Sequence, residues 1–118
     1  MKIGFIGTGQ ITKAVVTGVI NSKLKISQIF LSERNKKISR ILKFKSKKIK
    51  IIKNNQDIIS RSDWVFLAVT PTVGNKILNN LKFNKSKMII SFISTINLTQ
   101  LKKITGLKSN IVRAIPLP

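Results

Sequence analysis

The sequence contains no cysteine and no histidine. Disulfides, thiolate metal sites, cysteine nucleophiles and imidazole acid–base chemistry are therefore excluded from this chain acting alone. Acidic residues are scarce: Glu33, Asp57 and Asp63 stand against 23 lysines and arginines. Three carboxylates are too few for a hard-cation cage, which takes about six or more oxygen ligands. No apolar run approaches the ~18 residues of a membrane span, so a transmembrane protein is not expected. The amino terminus, MKIGFIGTGQ, has glycines inside its only apolar stretch and does not read as a secretory signal. A cytoplasmic location is expected. Repeats, low-complexity linkers and Pro/Gly/Ser-rich boundaries are also lacking, so the 118 residues are read as one domain.

What the chain has in excess is positive charge, a formal +20. Such a charge attracts nucleic acid, acidic membrane or any phosphorylated ligand. Composition offers a plainer origin, because 19 lysines, 21 isoleucines and 10 asparagines make up 50 of the 118 residues, the bias of an A+T-rich coding sequence. Nucleic-acid surfaces interleave aromatic residues with cations as stacking platforms. Here Phe5, Phe30, Phe66 and Phe92 sit inside short apolar runs, where an aromatic is usually core, and Trp64 begins another such run. Phe44, within ILKFKSKKIK, lies among lysines. Neither nucleic acid nor a membrane is expected as a partner.

Short runs rich in β-branched residues alternate with segments of helical spacing, the pattern of a parallel α/β sheet. Strands are expected over 2–6, 28–31, 49–52, 64–69, 88–92 and 110–114, and helices over 10–20, 36–44, 56–61, 73–81 and 98–105. In the first helix, Ile11, Ala14, Val15, Gly18 and Val19 recur at the spacing of one buried face. The last carries an Asn97-x-x-Gln100 capping pattern, with Gly106 beyond its end. Right-handed crossovers leave few layouts for six such strands. The expected fold is a doubly wound, mostly parallel six-stranded sheet of the Rossmann kind, in strand order 3-2-1-4-5-6.

The most informative stretch is the opening, where a strand runs into Gly7-Thr8-Gly9-Gln10-Ile11-Thr12 and then into a helix. At Gly7 the missing side chain permits a tight turn, and at Gly9 it lets a pyrophosphate approach the backbone at the helix amino terminus. Thr12 stands where a third glycine or alanine is expected, and its bulk is expected to push the helix from the sheet or weaken cofactor packing. About 20 residues on, at the end of the second strand, comes Ser32-Glu33-Arg34-Asn35. Glu33 suits the ribose diol of NAD, whereas Ser32, Arg34 and Asn35 suit a 2′-phosphate. NADP is the expected cofactor and NAD the alternative.

These residues resemble those of the pyrroline-5-carboxylate reductase family, one of the coenzyme-binding reductases of the β-hydroxyacid dehydrogenase kind. The resemblance covers nearly the whole chain. It rests on FIGTGQI at the first turn, LSERN after the second strand, Asn55 after the third, SDWVFLAVTP at the fourth, SFISTI at the fifth and VRAIP at the sixth. It implies a Rossmann domain that presents a nicotinamide for hydride transfer to a cyclic imine, making proline. Thr8, Gln10 and Ile11 would then lie along the pyrophosphate, with Ser32, Arg34 and Asn55 near the adenosine. Val69, Thr70, Pro71 and Ser94 would flank the ribose and nicotinamide.

Three departures from the family pattern stand out. Thr70 stands where lysine is usual, Thr95 where glycine is usual, and Leu117-Pro118 where Asn-Thr normally follows the proline. In that family the substrate pocket and dimer interface come mainly from a carboxyl-terminal helical domain, which is not expected within these 118 residues. The expectation is therefore a cofactor-binding domain with no catalytic residue of its own and little turnover in isolation. It would act on a small-molecule imine once completed by a second domain, and an unfinished sheet edge or apolar face would favour a homo-oligomer. Two alternatives stand beside this reading: another reductase of the same superfamily, acting on a β-hydroxyacid or a deazaflavin, and a non-catalytic basic binding module on a Rossmann scaffold.

Overall fold

The computed structural model describes residues 1–33, 35–106 and 110–114. Along the chain run β1 (Lys2–Ile6), α1 (Gln10–Ile20), β2 (Gln28–Ser32), α2 (Lys36–Lys43), β3 (Ile49–Ile52) and α3 (Asn55–Arg61). There follow β4 (Trp64–Leu67), α4 (Pro71–Leu78), β5 (Met88–Ser91), α5 (Leu98–Thr105) and β6 (Asn110–Arg113). The strands form one sheet in the order β3-β2-β1-β4-β5-β6, every neighbouring pair parallel. The expected order and direction are borne out.

The sheet is covered on both faces, and successive strand residues serve opposite cores, as a period of two requires. Phe5, Ile29 and Leu31 pack with Val16 of α1 and Leu42 of α2 on one side. Ile6, Phe30 and Leu67 pack with Ile58 of α3, Leu78 of α4 and Leu101 of α5 on the other. Within the first of these cores Phe5 stacks on Phe66 with ring centres 4.6 Å apart, and Phe66 lies 5.6 Å from Phe92.

Three local expectations are corrected. The buried side of α1 is centred on Thr12 and Val16, with Val15 and Val19 half-buried, while Ala14 and Gly18 face solvent and Ile11 is 40% exposed. The helix is turned by about one residue, or 100°, because the Thr12 hydroxyl donates to the Gly7 carbonyl at 2.7 Å and draws its own face inward. Helix α4 begins at Pro71 rather than at residue 73, since the fixed φ of proline is preorganised for the first helical position. Trp64 opens β4 at the sheet's end and is 41% exposed, so it is not core. Among the described residues no helix is long and apolar enough to cross a membrane.

Candidate cofactor-binding site

The turn between β1 and α1 is held by hydrogen bonds from residues far along the chain. Gly7 has φ +101°, and a Cβ there would strike the Ala68 carbonyl oxygen and lie 2.6 Å from its carbon. Its amide donates to Ser32 Oγ at 3.0 Å. The Thr8 hydroxyl donates to the Ser32 carbonyl at 2.5 Å and lies 2.8 Å from Ser32 Oγ. Because the Thr8 proton is committed to the carbonyl, Ser32 Oγ is the donor in the second contact. Both hydroxyls are buried, and their protons are consumed within this knot.

The amides that follow are in the opposite state. Lys13 makes the first helical hydrogen bond, to the Gly9 carbonyl at 3.0 Å. Among the described residues, the amides of Thr8, Gly9, Gln10, Ile11 and Thr12 have no acceptor. Gly9 is the N-cap of α1, and no protein atom lies within 4 Å of where its Cβ would stand. Helix α4 starts in the same way: its N-cap Thr70 makes no side-chain cap, and the amides of Thr72 and Val73 precede its first bond, from Gly74 to Thr70. By contrast Asn35, Asn54 and Asn97 cap α2, α3 and α5 with their side chains. The two helices whose cap is left unfilled are those that open onto the carboxyl ends of β1 and β4.

A hollow of ≈ 630 Å³ lies between these two helix ends, walled by Gly7, Thr8, Gly9, Val69, Thr70 and Val73. It shares Gly9, Ala68, Val69 and Thr70 with a second hollow of ≈ 380 Å³, which adds Gln10, Ile11, Pro71, Phe92 and Ser94. On the other side it shares Lys36 with a third, also ≈ 380 Å³, lined by Ser32, Glu33, Lys36, Lys53 and Asn55. The three form a trough along the carboxyl ends of the strands, where ligands of open α/β sheets bind. Unpaired amides and two positive helix ends suit a doubly charged phosphate bridge at its middle, and the bare backbone at Gly9 leaves room for one.

The sequence-derived residues fall along this trough with differing roles. Gly9, Gln10, Ile11, Val69, Thr70, Pro71 and Ser94 line its central and distal parts, and Asn55 and Glu33 its proximal end. The side chains of Thr8, Thr12 and Ser32 are spent on holding the turn, so the first two offer a ligand only their amides. Asn35 Oδ1 accepts from the Ile38 amide at 3.2 Å to cap α2, while among the described residues its Nδ2 stays uncommitted in a residue that lines the largest of these hollows. Against the expectation that Thr12 pushes the helix from the sheet, its hydroxyl stitches the two together, donating to the Gly7 carbonyl. Arg34 and Leu117-Pro118 lie outside the described residues, and Thr95 is exposed in the turn after β5. The Ser94 carbonyl accepts from Arg113 Nη2 at 2.7 Å, which ties that turn to β6.

Two cations at the proximal end, Lys36 and Lys53, were not singled out from the sequence. Lys36 Nζ stands 3.8 Å from Glu33 Oε1, and Lys53 lines the same hollow. Their nearness in sequence to Asn35 and Asn55 was the available signal, but in a chain with 19 lysines it carried no weight.

The sheet order, the unfilled helix ends and the trough together define a Rossmann-type nucleotide-binding domain. The chain belongs to the family described as "NADP oxidoreductase coenzyme F420-dependent", whose sequence model matches residues 2–95. It is similar to pyrroline-5-carboxylate reductase 3 of Danio rerio, with 28% identity over 119 residues, 98% of this chain and 41% of that protein. Among solved structures it is similar to the 1-pyrroline-5-carboxylate reductase of Streptococcus pyogenes, at a TM-score of 0.83 and 28% identity over 98% of this chain and 42% of that one. The Plasmodium falciparum pyrroline carboxylate reductase, solved with NADP bound, gives a TM-score of 0.81 and 27% identity at the same coverage. The chain spans less than half the length of these relatives. The resemblance drawn from the motifs is borne out.

Proposed function

We propose that these 118 residues form the coenzyme-binding lobe of an NADPH-dependent reductase that delivers hydride to 1-pyrroline-5-carboxylate, giving proline when a second lobe completes the site. The observation that carries this reading is the run of five amides, Thr8 to Thr12, without an acceptor in front of a bare cap. The chain's similarity to pyrroline-5-carboxylate reductases supports the choice of substrate. Bound NADPH supplies the hydride. This chain's own residues bind and orient: the amides of Thr8 to Thr12 hold the phosphate bridge, and Val69, Thr70, Pro71 and Ser94 wall the space for the nicotinamide. Imine positioning and the exclusion of water are left to the second lobe, and with them most of the proximity contribution to rate.

NADP is favoured over NAD by Lys36 and Lys53, which outnumber the carboxylate of Glu33 at the proximal end. The test is a pair of fluorescence titrations at moderate salt, with NADPH and with NADH. NADPH is expected to bind at least about tenfold more tightly, and Lys53→Gln to remove most of that difference, since one charge-assisted bond contributes about 1.5–3 kcal/mol. Equal affinities in the parent protein overturn the preference, and no saturable signal with either nucleotide overturns the site. The family description favours one second reading, hydride exchange with a deazaflavin. A reductase assay of the chain joined to a second lobe, given either the imine or the deazaflavin, separates the two.

A further inference from the structure

At the opposite end of the sheet from the trough, two loops lie side by side. The segment 21–27 leads into β2 and the turn 44–48 leads into β3. They are neighbours: the Ile29 amide donates to the Lys48 carbonyl at 2.9 Å, and Leu24, Ser46 and Lys48 line one small crevice. Each loop carries a bulky apolar side chain that is largely exposed. Phe44 is 91% exposed and Leu24 is 63% exposed, the two highest values among the large exposed apolar residues described. A single exposed apolar side chain needs no explanation. Here two protrude from adjacent loops, and both are bracketed by exposed cations, Leu24 by Lys23 and Lys25, Phe44 by Lys43 and Lys45.

Of the three acids only Asp63 shares this end of the sheet, and it stands in neither loop. Glu33 follows β2 at the trough and Asp57 stands in the first turn of α3, above the carboxyl end of β3. Asp63 is at the same end of the sheet, before β4, where its carboxylate accepts from the Lys2 amide at 2.8 Å. Lys47 and Lys48 extend the positive field along the second loop, and among the described residues none of these lysines has a salt-bridge partner.

We infer that this end of the molecule docks on an anionic lipid surface, with Leu24 and Phe44 entering the headgroup boundary and the flanking lysines meeting lipid phosphates and carboxylates. Apolar tips ringed by cations match the two forces that act at that boundary, burial of apolar area and attraction to acidic lipid. Charge alone fits nucleic acid equally well, but a leucine offers no ring for a base to stack on. An aliphatic and an aromatic side chain on neighbouring loops suit acyl chains better. The lack of a spanning helix does not bear on this, because surface association needs only the two loops. Such docking differs from the expectation drawn from the sequence, in which a membrane is not a partner.

The experiment is sedimentation of the 118-residue chain with vesicles of phosphatidylcholine alone, and of phosphatidylcholine with about 30 mol% phosphatidylserine, at roughly 0.1 M salt. Binding is expected to the acidic vesicles only. A Leu24→Ser, Phe44→Ser double variant should lose about tenfold or more in partitioning while keeping the parent's circular dichroism and melting curve. A Lys45→Gln, Lys47→Gln variant should lose about as much, and binding should weaken as salt rises. A fluorescent single-stranded oligonucleotide is the competing ligand. Absence of binding to acidic vesicles overturns the inference, as does undiminished binding of the folded Leu24→Ser, Phe44→Ser variant. Oligonucleotide binding that is lost with the same two substitutions overturns it in favour of nucleic acid.

Discussion

Replacing Gly9 with valine separates what the opening turn does for the fold from what it does for a ligand. Gly9 has φ −103° and ψ −163°, extended values open to any L-residue. A Cβ there would meet no protein atom within 4 Å. Restricting the unfolded chain stabilises by about 0.4–1 kcal/mol, and the poorer capping of valine costs a similar amount, up to about 1 kcal/mol. The melting temperature should therefore move by no more than about 5 °C. Binding should respond on another scale. The added methyl groups occupy the space in front of the Gly9 to Thr12 amides, and a phosphate held off by them loses two or more charge-assisted hydrogen bonds. At about 1.5–3 kcal/mol each, that is about 3–6 kcal/mol, or roughly two to four powers of ten in Kd.

The assay is a pair of measurements on one variant, thermal unfolding by circular dichroism and an NADPH fluorescence titration. A Gly7→Ala protein gives the opposite pattern. Its φ of +101° and its collision with the Ala68 carbonyl predict a loss of about 2 kcal/mol or more in folding stability, whatever the ligand. A Gly9→Val protein that melts like the parent and keeps its NADPH affinity within about threefold would falsify the assignment of this backbone to a phosphate.

Two further outcomes test the surroundings. Ser32→Ala leaves the buried Gly7 amide without an acceptor and removes one partner of Thr8, so urea unfolding should show a loss of about 1–3 kcal/mol. NADPH affinity should fall with it, although the Ser32 hydroxyl has no proton to offer a ligand. Asn97→Ala breaks the reciprocal capping box with Gln100; a stability loss of about 1 kcal/mol is expected by thermal unfolding, with nucleotide affinity unchanged because α5 does not border the central hollow.

Elements whose cause is local were legible in the sequence. The strands β1 and β3 and the helices α1 and α5 have the bounds that alternation, glycine punctuation and the Asn97 cap imply. The order of the sheet followed from right-handed crossovers, which depend on the sequence of elements and not on side-chain detail. What stayed hidden depends on partners distant in the chain. Ser32 carries a hydroxyl fit for a phosphate, yet it is tied to a turn 25 residues earlier. Thr12 looked like an obstruction because its size was visible and its partner, the Gly7 carbonyl, was not. That same bond turns α1, so a face inferred from periodicity alone was displaced by one residue. Lys36 and Lys53 become conspicuous only when the sheet brings them to one hollow.

The contrast between three helices closed by asparagine and two left open has a practical side. With a formal charge of +20 behind them, the open ends of α1 and α4 will gather whatever multivalent anion the solution provides. Phosphate or sulfate in a buffer then acts as a resident competitor. It raises the apparent melting point of the apoprotein by mass action and lowers the apparent strength of nucleotide association by the same occupancy. Preparations kept in such salts and preparations kept in zwitterionic buffers are thermodynamically different starting materials, and affinities measured in one do not transfer to the other.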